Sequence, residues 1–233
     1  MGKTLIPNAL TSSNLVFGFC SIISTHQGDL FWGSVFILLA LVADGLDGRS
    51  ARFFGVSSEM GKEMDSLCDL VSFGVAPGFL AYNFCLHAFG WFGWVVAICF
   101  AVCGMLRLAR FNVNAAVVHG YFMGLAIPAG GCFIATSTLL MRGIGFDPMT
   151  LGWIYPIVML IVGFDMYSTI HYPDFKGKGE KIYVASKVLA LVIFAAILYV
   201  GREAIPFAVL FGVFCTYFLF GIINSAIAKV SGS

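Results

Sequence analysis

Charge is what this sequence has least of. Only 11% of its 233 residues are Asp, Glu, Lys or Arg, while 60% are hydrophobic. Soluble domains carry about a quarter charged residues, so a water-soluble globular protein is excluded as the reading. The charges nearly balance, at a formal +1, and form no basic run interleaved with aromatics. No nucleic acid polymer is therefore expected as a partner. The chain also lacks a CxxC pair. Cys20, Cys68, Cys85, Cys99, Cys103, Cys132 and Cys215 all lie within apolar runs and are expected to be core thiols, with no disulfide or zinc framework. Low-complexity tracts, internal repeats and an appended soluble segment are missing too, so one domain over residues 1–233 is expected. The first apolar segment has no small-residue cleavage site behind a compact leucine-rich stretch, and reads as a retained helix. Histidine is scarce: His26, His87, His119 and His171 fall in loops or at helix ends, and none is expected to be a catalyst.

What the chain does have is apolar runs of bilayer-spanning length. They fall at about 9–25, 30–48, 65–88, 91–112, 123–141, 149–170, 182–200 and 205–228. The pattern predicts an all-α polytopic membrane protein of about eight transmembrane helices, with core helices over about 1–170 and two additional helices over about 182–228. With the N-terminus inside, eleven of the thirteen basic residues lie on or near the cytoplasmic side, and only Arg142 and Arg202 fall outside. That asymmetry predicts both termini in the cytoplasm. Trp91, Trp94 and Trp153 sit near predicted helix ends and read as interfacial anchors. The longest polar connections, 49–64, 113–121 and 171–181, are all assigned to the cytoplasmic face, so function is sought there. The last of them, "HYPDFKGKGEK", is rich in Gly and Lys and reads as a mobile loop.

The few acids are unevenly placed. Asp44, Asp47, Asp65 and Asp69 bracket the 49–64 connection. On helices, residues three and four apart share a face, so a hairpin across that connection brings four carboxylates together just inside the interface. Each ionised Asp at such a depth costs up to about 3 kcal/mol on insertion scales, and four of them about 10 kcal/mol, so a compensating charge is required. Arg49 and Arg52 pairing with two of the acids is the plainer alternative. All-oxygen ligands at short spacing suit a hard divalent cation instead, Mg2+ or Mn2+ where phosphates are handled, and two such ions balance four carboxylates. Small residues Gly48, Ala51 and Gly61 beside the acids leave room for a ligand to approach the backbone, and Arg52 suits an anionic phosphate.

Together these residues read DxxDGxxAR (Asp44, Asp47, Gly48, Ala51, Arg52), eight residues, then GxxxDxxxD (Gly61, Asp65, Asp69). The pattern matches, position for position, the signature of the CDP-alcohol phosphotransferases, membrane enzymes of phospholipid synthesis. "IPNALTSSNLVFGF" (6–19), "GKEMDSLCDLVSFGVAPG" (61–78), "RLARFN" (107–112), "FMGLAIPAG" (122–130) and "YPDFK" (172–176) resemble the CDP-diacylglycerol:serine phosphatidyltransferase branch, the integral-membrane (type II) phosphatidylserine synthases. Ala126 departs from that branch, which more usually has Pro there, and Asp165, within the sixth predicted helix, is left to pair with Arg107 or Arg110 or to be protonated.

The resemblance implies that Asp44, Asp47 and Asp65 hold one metal ion and Asp44, Asp65 and Asp69 a second, with Asp69 also the general base. It implies a CDP moiety near Gly48, Ala51, Arg52 and Gly61, with Asn8 and Thr11 at the entrance. It further implies transfer of the phosphatidyl group of CDP-diacylglycerol to the hydroxyl of L-serine with release of CMP, in the cytoplasmic membrane with the site facing the cytoplasm, by a homodimer. Serine carries a carboxylate and an ammonium, so its site should place a cation near an acid. Arg107 and Arg110, three apart on one face, are expected to hold the serine carboxylate or a substrate phosphate, with Asn112 and Lys62; anchoring at the interface is the alternative. Within the family, glycerol phosphate, inositol phosphate or an archaeal ether lipid are the competing substrates. Outside it, a cation transporter would place its acids near the midplane and show repeated halves, and an aspartyl intramembrane protease would have no use for the DGxxAR residues.

Overall fold

The computed structural model describes residues 2–55, 59–114, 121–173 and 183–230. Its helices are α1 (Gly2–His26), α2 (Leu30–Phe54), α3 (Glu59–Asp69), α4 (Ala76–Phe84), α5 (Trp91–Asn114), α6 (Ile127–Gly143), α7 (Ile154–Tyr167), α8 (Val184–Val200) and α9 (Ile205–Val230). A π-helical stretch, Leu70–Val75, joins α3 to α4 end to end, so the described residues form eight rods that correspond one for one to the eight apolar runs. Leu30–Phe54, Glu59–Phe84, Trp91–Val113 and Arg202–Lys229 are long and apolar enough to cross a bilayer, and Ile154–Tyr167 and Val184–Val200 are shorter apolar helices. The chain is an all-α polytopic membrane protein. Its seven cysteines are free thiols, and Trp91, Trp94 and Trp153 are exposed at helix ends.

Hydropathy marks the apolar part of each rod, whereas the helix runs on into polar sequence because its backbone hydrogen bonds do not depend on the solvent. This corrects the expected 49–64 connection: α2 continues to Phe54 and α3 already begins at Glu59, so all four aspartates lie on helices. The α1–α2 turn is tight, with Gly28 at φ +85° and the Asp29 carboxylate accepting the Trp32 N–H at 3.1 Å. Helix α6 sits centrally. Its residues from Gly130 to Leu140 are buried without a break, packed by α2, α4 and α9. At 17 residues it is about 25 Å long. Ala126 caps it in extended geometry at φ −64°, the value a proline ring would impose, so the departure from Pro leaves the backbone path unchanged. The π-helical stretch is wedged between neighbours with no room to spare: a Cβ at Gly131 of α6 would meet the Phe73 Cα and carbonyl oxygen at 2.8 Å. Small residues of this kind let membrane helices pack backbone to backbone.

One element was not legible in the sequence. Strand β1 (Tyr121–Met123) pairs antiparallel with β2 (His171–Pro173), with Phe122 opposite Tyr172, so the connections read as separate loops at 113–121 and 171–181 meet as a two-stranded ribbon. Three-residue strands are too short for periodicity to reveal. The expected mobile loop of the third connection lies, from 174 onward, outside the described residues. Tyr172 on β2 is fully buried, packs against the tilted ring of Tyr217 of α9 at 5.3 Å between ring centroids, donates to the Asp165 carboxylate and lies 3.0 Å from the Phe218 carbonyl oxygen. Burial first, and the Asp165 carboxylate next, hold its phenol far above the usual range, which keeps it a donor. The ribbon thereby ties α7 to the α8–α9 hairpin. Asp165 also accepts from the Ser168 hydroxyl at 3.0 Å, which corrects the expected pairing with Arg107 or Arg110: the nearby hydroxyls satisfy this acid.

Candidate active site

The site forms where α2 leaves the apolar layer and α3 enters it. Asp44 and Asp47, one turn apart on α2, converge with Asp65 of α3, and one carboxylate oxygen from each lies within 4.8 Å of the other two. Like charges at that separation repel strongly in a low-dielectric setting. No cation relieves them directly: among the described residues the one ion pair is Lys62–Glu59, at 3.0 Å on the surface of α3. The plainer alternative, pairing with Arg49 or Arg52, is therefore absent from the described contacts. Arg52 is exposed, and its Nε donates to the Gly48 carbonyl at 3.0 Å. Asp47 Oδ2 and Asp65 Oδ1 are buried without a hydrogen-bond donor. Orphaned carboxylate oxygens within one all-oxygen cluster fit a hard divalent cation, which needs several oxygen ligands and no donor.

Asp69 sits one turn deeper on α3, at the start of the π-helical stretch, and is buried. It lies within electrostatic reach of Asp44 and Asp65 but outside the group formed by Asp44, Asp47 and Asp65. Its Oδ1 accepts from Asn14 Nδ2 of α1 at 2.9 Å. Asn14 was not singled out from the sequence. The signal was there, since Asn14 follows Thr11 by three residues in the polar "TSSN" that opens an otherwise apolar helix, and residues three apart share a helix face.

The residues expected to hold the nucleotide divide. Thr11 is buried, its hydroxyl 3.1 Å from the Pro7 carbonyl oxygen and in hydrogen-bonding reach of Asp47. Asn8, three residues earlier on α1, is exposed. Gly48 is exposed, and a Cβ built there meets nothing within 4 Å, so the backbone beside Asp47 is open to a ligand. Gly61 lies in the first turns of α3, one turn before Asp65. Ala51 is on α2, with its side chain outside the described residues.

The residues expected at the second substrate divide as well. Arg107 is buried, at 8% exposed, with its guanidinium over the Phe111 ring at 5.2 Å. Asp69, Tyr217 and Asp44 all lie within its electrostatic reach. Arg110 takes another direction. It donates to the Tyr167 and Ser168 carbonyl oxygens, each at 2.8 Å, and to Met123 O at 3.2 Å, which satisfies carbonyls left over at the end of α7. Asn112 exchanges hydrogen bonds with Ser66, at 3.0 and 3.3 Å, and so pins α5 to α3. Lys62 is exposed and engaged with Glu59. Of the four, Arg107 alone is brought to the acids. Tyr217, the contribution of α9 to this corner, had no signal in the sequence.

Comparison with known proteins identifies the family. Residues 4–165 match the family model described as CDP-alcohol phosphatidyltransferase. Three similar relatives are each named CDP-diacylglycerol–serine O-phosphatidyltransferase. The Helicobacter pylori protein is 34% identical over 94% of this chain and 90% of its own length. The one from Bacillus subtilis is 34% identical over 73% of this chain and 91% of its own. A relative from the archaeon Methanocaldococcus jannaschii is 35% identical over 81% of this chain and 83% of its own. The chain belongs to the CDP-alcohol phosphatidyltransferase family.

Proposed function

We propose that this protein is a phosphatidylserine synthase, which transfers the phosphatidyl group of CDP-diacylglycerol to the hydroxyl of L-serine and releases CMP. The observation that carries the reading is the convergence of Asp44, Asp47 and Asp65, with Asp69 a turn deeper and a buried arginine beside it. The relatives' shared name supports serine as the acceptor alcohol. The chain acts as one catalytic domain over 1–233, with α8 and α9 closing the corner at Arg107, and it works as a homodimer in the cytoplasmic membrane. The acids lie at the end of α2 that carries Arg49 and Arg52. By the positive-inside rule that end, both termini and the active site face the cytoplasm.

Each side chain then has a task. Asp44, Asp47 and Asp65 would hold one divalent ion, and Asp44, Asp65 and Asp69 a second, Mg2+ or Mn2+. Bound there, such ions neutralise the pyrophosphate and the charge that grows on CMP as the bond breaks. Gly48 leaves room for the nucleotide, Arg52 meets a phosphate at the rim, and Gly61, Ala51, Asn8 and Thr11 complete that wall. A serine hydroxyl is a poor nucleophile at neutral pH, so Asp69 accepts its proton as the oxygen attacks the lipid-bearing phosphorus. Arg107 receives the serine carboxylate through charge-assisted hydrogen bonds. Asn112 positions α3 through Ser66, Lys62 lies at the cytoplasmic rim, and Arg110 holds the end of α7 against the ribbon.

The decisive experiment follows CMP release by the purified protein with CDP-diacylglycerol, Mg2+ or Mn2+, and a panel of alcohols. Turnover that requires L-serine is expected. Release that is independent of serine, or that occurs only with a phosphorylated polyol, overturns the serine assignment and leaves the family standing. The two arginines should separate in the same assay. Arg107→Ala is expected to raise the KM for serine about 10- to 100-fold, the worth of a charged hydrogen bond. Arg110→Ala should lower thermal stability with the serine KM nearly unchanged. An unchanged KM in Arg107→Ala returns that residue to an anchoring role.

A further inference from the structure

We propose that Asn14 is a specificity residue for the acceptor substrate: its side-chain oxygen receives an N–H from the amino group of a β-amino alcohol whose hydroxyl faces Asp69. The proposal rests on the serine reading above and deepens it.

Asn14 is 0% exposed on an apolar helix, where a polar atom without a partner costs about 1–3 kcal/mol. Half of its amide is satisfied, through Nδ2 to Asp69 at 2.9 Å. The other half is not: Oδ1 is buried and has no hydrogen-bond partner among the described residues. The NH2 faces the Asp69 carboxylate, which accepts from it, and the amide oxygen is left over on the other side. The backbone is not free to withdraw. The Ser72 hydroxyl donates to the Asn14 carbonyl at 2.9 Å. Gly18, one turn along α1, lies so close to Ser72 that a Cβ would come within 2.8 Å of the Ser72 Cα. Helix α1 is thereby locked onto the π-helical stretch that carries Asp69 at its head.

A fixed, orphaned acceptor beside the base calls for a donor that none of the described residues supplies. Asp44, Asp47, Asp65 and Asp69 are acceptors, and Arg107 has no hydrogen bond to Asn14. A hydroxyl that gives its proton to Asp69 must sit against that carboxylate, and hence next to the Asn14 amide. In a β-amino alcohol the nitrogen is three bonds from the hydroxyl oxygen, within reach of Oδ1. An ammonium is also the donor that a neighbourhood of four carboxylates favours, while the carboxylate of the same molecule is met by Arg107. Asn14 and Arg107 thus read the two ends of one zwitterion, with Asp69 between them.

The test compares kcat/KM for L-serine with that for 3-hydroxypropionate, which keeps the hydroxyl and the carboxylate but has no amine. Purified full-length wild type, Asn14→Leu and Asn14→Asp are used, with serine binding followed separately by calorimetry. The wild type should prefer serine. Asn14→Leu, similar in size but without an acceptor, should lose at least tenfold of that preference and bind serine correspondingly more weakly. Asn14→Asp, which keeps an acceptor but loses the donor to Asp69, should fall in kcat yet retain the preference for serine. If Asn14→Leu does not fold, the wild type and Asn14→Asp still decide. Equal use of 3-hydroxypropionate by the wild type, or loss of the preference in Asn14→Asp, overturns the proposal. An unchanged preference in a folded Asn14→Leu overturns it too, with the synthase reading intact. A wild type that uses neither compound but accepts a phosphorylated polyol fails at the function and not at Asn14.

Discussion

Asp69→Asn is expected to lower kcat by about 10²- to 10⁴-fold, the usual worth of a positioned general base, while CDP-diacylglycerol still binds. The substitution keeps the size and shape of the side chain. Its Oδ1 can still accept from Asn14 Nδ2, now 2.9 Å from Asp69, so the contact between α1 and α3 survives. What is lost is the capacity to take a proton from the attacking hydroxyl. Because Asp69 lies outside the group formed by Asp44, Asp47 and Asp65, divalent-ion binding by those three should persist, and nucleotide affinity with it. The check is single-turnover CMP release alongside calorimetric titration of the variant with a CDP-containing ligand. Turnover near wild type removes Asp69 as the base. Loss of nucleotide binding together with turnover would mean that the second ion, which Asp69 shares with Asp44 and Asp65, carries the nucleotide, and that the loss of turnover does not by itself report a base.

How far the sequence discloses this site depends on the kind of residue. The aspartates were legible because an ionised side chain inside an apolar run is costly and needs a reason, and because fixed spacing on a helix fixes the face. The eight rods were legible because backbone in a bilayer has almost no alternative to helix. The contacts between rods were not. Arg107 and Arg110 look equivalent at three-residue spacing, yet Arg107 goes to the acids and Arg110 to the end of α7. Arg110 also donates to Met123 O on strand β1, part of a ribbon whose strands lie 50 residues apart at Tyr121 and His171 and pair only in three dimensions. Asn14 looked like part of a polar helix start, and its pairing with Asp69 exists only because α1 crosses the π-helical stretch. Asp165 suggested an arginine partner on charge alone, but Tyr172 and Ser168, seven and three residues away, reach it first. Charge and spacing predict which residues need a partner; the crossings of the helices decide which partner each one finds.

The same imbalance of charge predicts the second large effect. Asp44, Asp47 and Asp65 hold ligand oxygens within 4.8 Å of one another, and none of the three pairs with a described cation, the one described ion pair being Lys62–Glu59, so metal-free protein should be strained by their repulsion and relieved by a divalent cation. Adding Mg2+ or Mn2+ to chelator-treated wild type at about 100 times its dissociation constant should stabilise the fold by about 2.7 kcal/mol, a rise in melting temperature of about 5 to 10 °C for a chain of this size. Asp65→Asn removes one of the three negative charges of the trio. It should therefore be more heat-stable than wild type without metal, gain little when metal is added, and lose turnover by at least about 10³-fold, since several kcal/mol of transition-state charge stabilisation goes with the ion. The opposite order of stabilities decides against the site: a metal-free variant less stable than metal-free wild type, with the melting temperature of wild type unmoved by either ion, would mean that these carboxylates are held by the protein alone. Glu63→Gln, an acid on α3 that is exposed and outside the cluster, serves as the control and should leave both the metal response and the turnover as they are.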